Sequence, residues 1–136
     1  MSNLLVQNIK HTNNTTAITV DSSAQMTVKS DGGATTTSLQ QGLAKVWVQF
    51  DGTASDAASR DSLNVGSMTD NGTGNYNVNF SNVMANNDYA SAGIGNTQAI
   101  TSETVASHTI QLLSANASGS LSDVTIMATS VLGDLA

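Results

Sequence analysis

The fold is decided by residues 44–80, AKVWVQFDGTASDAASRDSLNVGSMTDNGTGNYNVNF. Apolar and polar side chains alternate in the first seven residues of this stretch (44–50) and again in the last six (75–80). A period of two places successive side chains on opposite faces of a β-strand, so each segment predicts a strand with one buried and one hydrated face. The buried faces are expected to carry the large side chains Phe50, Tyr76 and Phe80.

A tight hairpin is predicted just before the second of these strands, between residues 63–70 and 75–80. Asn71, Gly72 and Gly74 lie just before the second strand, and Asn and Gly adopt positive φ at little energetic cost. Residues 63–70 are expected to form the incoming strand of this hairpin. The preceding segment, 52–62, is expected to be a loop with some helical character.

Further short strands are predicted on both sides of the stretch. They are residues 4–9, 15–20 and 24–28 before it, and residues 88–94, 107–113 and 122–133 after it. The six or so strands predicted within 44–136 lie at short spacing, are joined by Gly- and Asn-rich turns and include no clear helix, which is typical of an antiparallel sandwich or roll. The sequence therefore predicts an all-β fold, an antiparallel β-sandwich or jelly-roll-like domain with an extended N-terminal β-arm.

The chain divides in sequence into two parts, 1–43 and 44–136. The first part has few apolar side chains, and two or three short strands are not stable alone. We therefore expect it to be an assembly or attachment arm that packs against the main domain, other copies or a larger structure. A Gly-Gly pair at 32–33 predicts a flexible joint. Residues 39–45 predict a short helical turn that ends at Gly42.

Composition argues against several classes of function. Ser, Thr and Asn together make up 49 of the 136 residues, and Pro and Cys are absent. The net charge is −6, and the four basic residues are dispersed, so a cationic surface for nucleic acid or for an anionic membrane is not expected. No apolar run is as long as a membrane span.

The predicted core is weak, because Ala contributes strongly to the apolar fraction. Oligomerisation is one way for such a chain to bury more apolar surface.

No catalytic or metal-binding constellation is visible in the sequence. His11 and His108 are far apart, and the spacing of Asp51, Asp56, Asp61 and Asp70 does not match a dedicated calcium loop, so turn formation and solvation explain these residues better. The NGTG segment is not followed by a helix and therefore predicts a turn and not a phosphate loop. We expect no enzyme activity, no cofactor and no metal.

Residues 44–90 resemble a module of tail-fibre and other virion proteins of tailed bacteriophages. The resemblance rests on four consecutive patterns: K-x-W-V-x-F-D-G-T from Lys45, R-D-S-x-N-V-x-S-M-T-D-N-G-T-G from Arg60, Y-x-V-x-F from Tyr76, and M-x-x-x-x-Y from Met84. Residues 6–23 are similar to the N-terminal start of many fibre-like proteins of marine phages. One departure is Ala85, where the pattern usually has Pro, and a complete receptor-binding fibre is usually much longer.

This resemblance implies a structural protein of the virion. We expect a short, homotrimeric tail-fibre-like appendage that acts by assembly and surface presentation, with the arm contacting capsid or tail proteins. A capsid decoration protein remains an alternative, and so does a stand-alone carbohydrate-binding module that presents aromatic platforms to a host-surface glycan. Candidate interface or structural residues are Leu5, Ile9, Ile18, Trp47, Phe50, Arg60, Asp61, Tyr76, Phe80 and Tyr89.

Three of these candidates have competing interpretations. Trp47 could be a platform for a sugar ring, but its position in the strongest strand favours a core position or a contact between subunits. Arg60 and Asp61 could bind a ligand, but in a domain with so few charges a structural ion pair or a loop brace is favoured.

Overall fold

The computed structural model describes residues 6–29, 35–96 and 99–136. It divides the chain into two compact units, Met1–Leu43 and Ala44–Ala136. Each unit has its own β-structure and is described below by itself.

The first unit is a small antiparallel meander. Its strands, in spatial and in sequence order, are β1 (Asn8–Lys10), β2 (Thr16–Val20), β3 (Met26–Lys29) and β4 (Thr36–Ser38). A four-residue helix, α1 (Leu39–Gly42), follows β4, and the Ser38 hydroxyl accepts a hydrogen bond from Gln41 N at 3.3 Å as its N-cap. No helix in the described ranges is long and apolar enough to cross a membrane.

The two faces of this meander differ in chemistry. Cross-strand partners lie on the same face, so the pairings of Ile9 with Ile18 and of Ile18 with Val28 form an apolar row across the sheet. The pair Val20–Met26 extends this row. The opposite face carries a row of Asn8, Thr19, Thr27 and Ser38. None of the described residues of this unit is fully buried.

The predicted description of this segment as an extended arm is not confirmed, because its described residues form a sheet of four strands. The fourth strand, Thr36–Ser38, was not predicted, since a run of Thr lacks an apolar alternation. The short helix before residue 43 is confirmed. The candidate Leu5 and the Gly-Gly joint at 32–33 lie outside the described residues.

The second unit is a sandwich of two four-stranded antiparallel sheets. Its strands are β5 (Ala44–Phe50), β6 (Ser59–Leu63), β7 (Val65–Asp70), β8 (Asn75–Phe80), β9 (Ala90–Gly95), β10 (Ala99–Ala106), β11 (Thr109–Ala115) and β12 (Met127–Leu132). One sheet has the order β6-β5-β12-β9 and the other has the order β10-β11-β8-β7. The predicted all-β class and the sandwich are therefore confirmed.

Inward-facing side chains from both sheets form one hydrophobic core. Strands β5 and β12 contribute Val46, Val48, Phe50, Met127 and Val131, and strands β8 and β11 contribute Tyr76, Val78, Phe80, Ile110 and Leu112. Two aromatic pairs with edge-to-face geometry reinforce it: Phe50 with Tyr76 (centroids 5.1 Å apart) and Phe80 with Tyr89 (5.9 Å). The predicted inward faces of residues 44–50 and 75–80 are thus correct.

Two sequence-based expectations for this unit were wrong. The last part of the expected 52–62 loop forms β6, which pairs with β5, and Asn64, with a φ of 59°, separates it from β7. Strand β10 was not predicted at all. It pairs with β11, and its sequence AITSETVA has no clean alternation of apolar and polar residues.

The hydroxyl of Tyr76 connects the two sheets. Its oxygen lies 2.6 Å from the carbonyl oxygen of Gly52 and 2.5 Å from Oδ1 of Asp123, which also accepts a hydrogen bond from Gly74 N at 2.6 Å. A Cβ atom at Gly52 would lie 2.8 Å from the Tyr76 hydroxyl, so this contact requires glycine there. Burial, and then the hydrogen bond to Asp123, raise the pKa of the Tyr76 phenol above its ordinary value.

We expect this raised pKa to make the fold sensitive to alkali. The unfolded chain loses the phenol proton near pH 10, whereas the folded chain keeps it to higher pH, so the free energy of unfolding falls by up to about 1.4 kcal/mol per pH unit above that point. Tyr76→Phe should remove this decline while costing about 1–3 kcal/mol at neutral pH through the lost hydrogen bonds. Urea unfolding of both proteins between pH 7 and about pH 11 measures the two slopes. If the free energy of unfolding fell equally steeply with pH in both proteins, Tyr76 would not be the source of the alkali sensitivity.

We also expect residues 44–136 to fold without residues 1–43, because every core residue among the described ones belongs to the second unit. Far-ultraviolet circular dichroism should show β-structure, and thermal unfolding should stay cooperative. The full-length chain is the control. A truncated chain without a cooperative transition would show that the first unit contributes to the core.

Candidate binding face

The outward surface of the sheet β6-β5-β12-β9 is the candidate functional site. Along each strand, successive side chains point alternately into the core and out onto this surface, so the neighbours of the buried residues lie on it. The cross-strand pairings align Leu63, Trp47, Ser130 and Ala92 in one row, and Asp61, Gln49, Ala128 and Ile94 in the next. These eight residues are called the Trp47 face below.

A shallow hollow of about 370 Å³ lies on this face. Its sides are formed by Trp47 and Ile94, which are large, and its floor by Ala92, Ala128 and Ser130, which are small. Trp47 is half-buried, and Ile94 is 71% exposed. A hollow arises here because three small side chains stand between two large ones on a continuous sheet.

The hollow is suited to binding through apolar contact. The indole of Trp47 offers a flat apolar surface, and Gln49 and Ser130 offer hydrogen-bonding groups beside it. Such an arrangement fits either the side chains of another protein or the ring of a small polar ligand. The described residues contain no group of three or more His, Asp or Glu side chains that could hold a metal ion.

An ion pair lies on the adjoining edge of the sheet. Arg60 Nη2 is 2.8 Å from Asp51 Oδ2, and Oδ1 of the same carboxylate accepts bonds from Thr53 Oγ1 (2.6 Å) and Thr53 N (3.0 Å). The bonds from Thr53, and after them the Arg60 guanidinium, hold the pKa of the Asp51 carboxyl below its usual value, against a weaker opposing effect of desolvation. The partner of Arg60 is therefore Asp51 and not its neighbour Asp61, because adjacent strand residues point to opposite faces.

The opposite sheet has an outward face of a different kind. It carries Asn75, Asn77 and Asn79 from β8, flanked by Ser67 and Thr69 of β7 and Gln111 of β11. Asn79 Nδ2 donates to Ser67 Oγ (3.1 Å) and lies 3.2 Å from Thr69 Oγ1, while Gln111 Nε2 donates to Asn75 Oδ1 (2.8 Å). Asn75 and Asn79 are thus bonded to neighbouring side chains, whereas Asn77 Oδ1 is buried without a hydrogen-bond partner.

The structure distributes the sequence-based candidates over several places. Phe50, Tyr76, Phe80 and Tyr89 are core residues, and the Tyr89 hydroxyl lies 2.9 Å from the Thr109 carbonyl oxygen. Trp47 is not in the core, so of its two structural interpretations only the contact between subunits stays a prediction. Ile9 and Ile18 lie together on the apolar side of the first unit.

Sequence reasoning missed most of the hollow. Ile94 is the one large side chain in strand β9 (ASAGIG). A single large apolar residue among small ones could have marked it as a candidate from the sequence. The small residues of β12 gave none, since Ala and Ser are frequent throughout the chain. Their proximity to Trp47 follows from the pairing of β12 between β5 and β9, which periodicity alone does not reveal.

Comparisons with known proteins give one structural likeness. No family model and no curated protein matches the chain. Among solved structures, the chain is similar to the phiAB6 tailspike, determined in complex with three-repeated oligosaccharides of Acinetobacter baumannii surface polysaccharide. The two share 11% sequence identity with a TM-score of 0.51, and the match covers 94% of this chain but 27% of the tailspike chain. The chain thus has a fold that resembles part of a phage tailspike.

Proposed function

We propose that this chain is a structural component of a tailed-phage virion, a short tail-fibre-like appendage built from three copies. The observation that supports this proposal most directly is the likeness to a phage tailspike, which extends over 94% of the chain. The sequence patterns of residues 44–90 point to the same class of protein. The proposed role is assembly and surface presentation, without a catalytic step.

In this proposal the Trp47 face is a contact between copies. Its outward apolar side chains include Trp47, Leu63 and Ile94, and Ile94 is largely exposed in the single chain. Burying such side chains against another copy is favourable by about 25 cal/mol per Å² of apolar surface. A weak single-chain core gives a reason for this arrangement, since association supplies burial that a chain of this composition otherwise lacks.

A second candidate function is binding of a host-surface glycan at the same hollow. The tailspike to which the fold is similar was determined with bound oligosaccharides, and Trp47 with Gln49 and Ser130 offers an aromatic surface beside polar groups. Both functions use Trp47, but they differ in what Gln49 should do. A glycan needs its amide, whereas an apolar contact between copies does not.

We expect the full-length protein to be a trimer in solution. Light scattering coupled to size exclusion at micromolar concentration measures the mass directly. A folded monomer would contradict the assembly proposal. Labelling of intact virions then tests the location: a signal on the tail supports the appendage, and a signal spread over the capsid indicates a decoration protein instead.

We expect Ile94→Asp to dissociate the trimer without lowering the melting temperature of the separated chain, because the side chain is 71% exposed there. Trp47→Ala should also dissociate it, with an added loss on the order of 1–3 kcal/mol in the stability of the chain, since the indole is half-buried. Gln49→Ala, on the same strand and face, is the matched control and should preserve the mass.

The same three variants separate the two functions. Binding to a panel of host polysaccharides, measured beside the mass and the melting temperature, decides between them. Loss of glycan binding in Gln49→Ala and Trp47→Ala, with the mass unchanged in all three variants, would favour the glycan site and overturn the role of this face in assembly.

A further inference from the structure

We propose that Asn71 is a site of spontaneous deamidation, that the folded hairpin holds this reaction back, and that the product weakens the hairpin. The site lies in the turn of residues 71–74, between the end of β7 at Asp70 and the start of β8 at Asn75. This segment is called the NG turn below. The proposal is independent of the assembly proposed above, because it concerns the chemistry of one turn within a single chain.

The two residues Asn71 and Gly72 supply both reacting groups. The chain has 14 Asn residues, and Asn71 is the only one that is followed by Gly. In the reaction the backbone nitrogen of Gly72 bonds to Cγ of Asn71, the bond from Cγ to Nδ2 breaks, and the proton of the attacking nitrogen leaves with Nδ2 as ammonia. Water then opens the five-membered imide to aspartate or isoaspartate. Because glycine has no Cβ, the attack is less hindered here than at any other Asn of the chain.

The NG turn leaves the reacting groups open to water. Asn71, Gly72 and Thr73 are exposed, and a Cβ atom placed on Gly72 would have no atom within 4 Å. Asn71 Nδ2 donates to Asn75 Oδ1 at 3.4 Å, a distance at which a hydrogen bond is weak. Neither burial nor close packing therefore protects the Asn71 amide.

Hydrogen bonds of the turn protect it instead, because they hold the attacking nitrogen in place. Gly72 N donates to Oδ1 of Asp70 at 2.8 Å. Two backbone bonds close the turn, from Asn71 N to Asn75 O and from Asn75 N to Gly72 O, each of 2.9 Å. The reaction has to move Gly72 N onto Cγ of Asn71, and a bond to a charged carboxylate resists that movement more strongly than a neutral one. The folded turn therefore slows the reaction, and opening of the β7–β8 hairpin releases it.

The product changes the hairpin beside the buried Tyr76 contact. Either product adds a carboxylate next to Asp70, and like charges at short distance repel. Isoaspartate also lengthens the backbone by one carbon atom. At the end of the same turn, Gly74 N donates at 2.6 Å to Asp123 Oδ1, which lies 2.5 Å from the Tyr76 hydroxyl. A lengthened turn displaces Gly74 from this contact, so the stability of the second unit falls as the chain ages.

Peptide mapping by mass spectrometry tests the site and its protection. The folded chain and the same chain unfolded in guanidinium chloride are incubated side by side at mildly alkaline pH, and conversion of Asn71 to the acid is followed. We expect conversion to be at least about tenfold faster in the unfolded chain, because the hydrogen bonds of the turn are lost there. Asn116, in an exposed turn but followed by Ala117, is the internal control and should stay an amide.

The outcomes of this comparison are decisive in either direction. Equal rates in the folded and the unfolded chain would overturn the protection by the turn. An unfolded chain in which Asn71 is converted no faster than Asn116 would overturn the site itself.

Substitution of Asp70 tests which bond provides the protection. Asp70→Ala removes the acceptor of the Gly72 N–H and should speed conversion in the folded chain by about tenfold. Asp70→Asn keeps an oxygen in that position and should speed it less. If Asp70→Ala fails to fold, Asp70→Asn decides alone, with a rate between those of the folded and the unfolded wild type as the expected result. Unchanged rates would overturn the protective role, and so would slower conversion, which would show that the carboxylate takes up the proton of Gly72 N.

Urea unfolding of aged protein tests the consequence. The isoaspartate-containing chain, separated by chromatography, should unfold at a lower urea concentration than the fresh chain and than Asn71→Asp, which carries the new charge without the longer backbone. Asn71→Gln, whose longer side chain forms the cyclic intermediate less readily, is the matched control and should keep its midpoint on ageing. An isoaspartate-containing chain with the midpoint of the fresh chain would overturn the proposed weakening.

Discussion

Tyr76 belongs to strand β8, yet its hydroxyl reaches the carbonyl of Gly52 and the carboxylate of Asp123, which lie beside the opposite sheet. Its ring packs edge-to-face on Phe50, the last residue of β5. A buried phenol needs a hydrogen-bond partner, and the absence of a side chain at Gly52 leaves the space for it. This contact anchors the inward side of β5, where Val46, Val48 and Phe50 lie, to the opposite sheet. Trp47 and Gln49 alternate with these residues and therefore point outward, where they form part of the candidate binding face.

The two units differ in burial and in net charge. Among the described residues, the fully buried apolar side chains all lie in the second unit, which also carries the entire net charge, while the first unit has an amphipathic sheet and no net charge. The buried core and the net charge of the chain are therefore concentrated in the same unit.

The sequence was sufficient for those parts of the fold that are specified locally. Residues 44–50 and 75–80 alternate without interruption, and the hairpin that leads into 75–80 is encoded by Asn and Gly, so strands β5 and β8 were predicted with their bounds and faces. Strand β6 was missed because SRDSL is polar and gains its order from pairing with β5. Strand β10 was missed for a similar reason.

Prediction of the candidate site was less complete for a physical reason. Trp47 was singled out from its residue type, but its hollow exists because β12 brings Ala128 and Ser130 next to it and β9 adds Ile94 beyond them. These neighbours are distant in sequence and have no distinctive residue type. The Arg60–Asp51 pair illustrates the same limit, since the adjacent residue pair in the sequence suggested Asp61, and the strand geometry turned that side chain away.

Strand β12 lies between β5 and β9 in its sheet, although more than 70 residues separate it from β5 in the sequence. The sheet has no continuous hydrogen-bonding between its two halves until residues 127–132 are in place. During synthesis the hairpin of β7 and β8 can form as soon as it leaves the ribosome, but β5 and β9 must wait for β12, which follows all other strands of this unit in the sequence. Folding of this unit is therefore completed after translation of the segment, and a nascent chain stalled before residue 127 exposes two unpaired strand edges that favour aggregation.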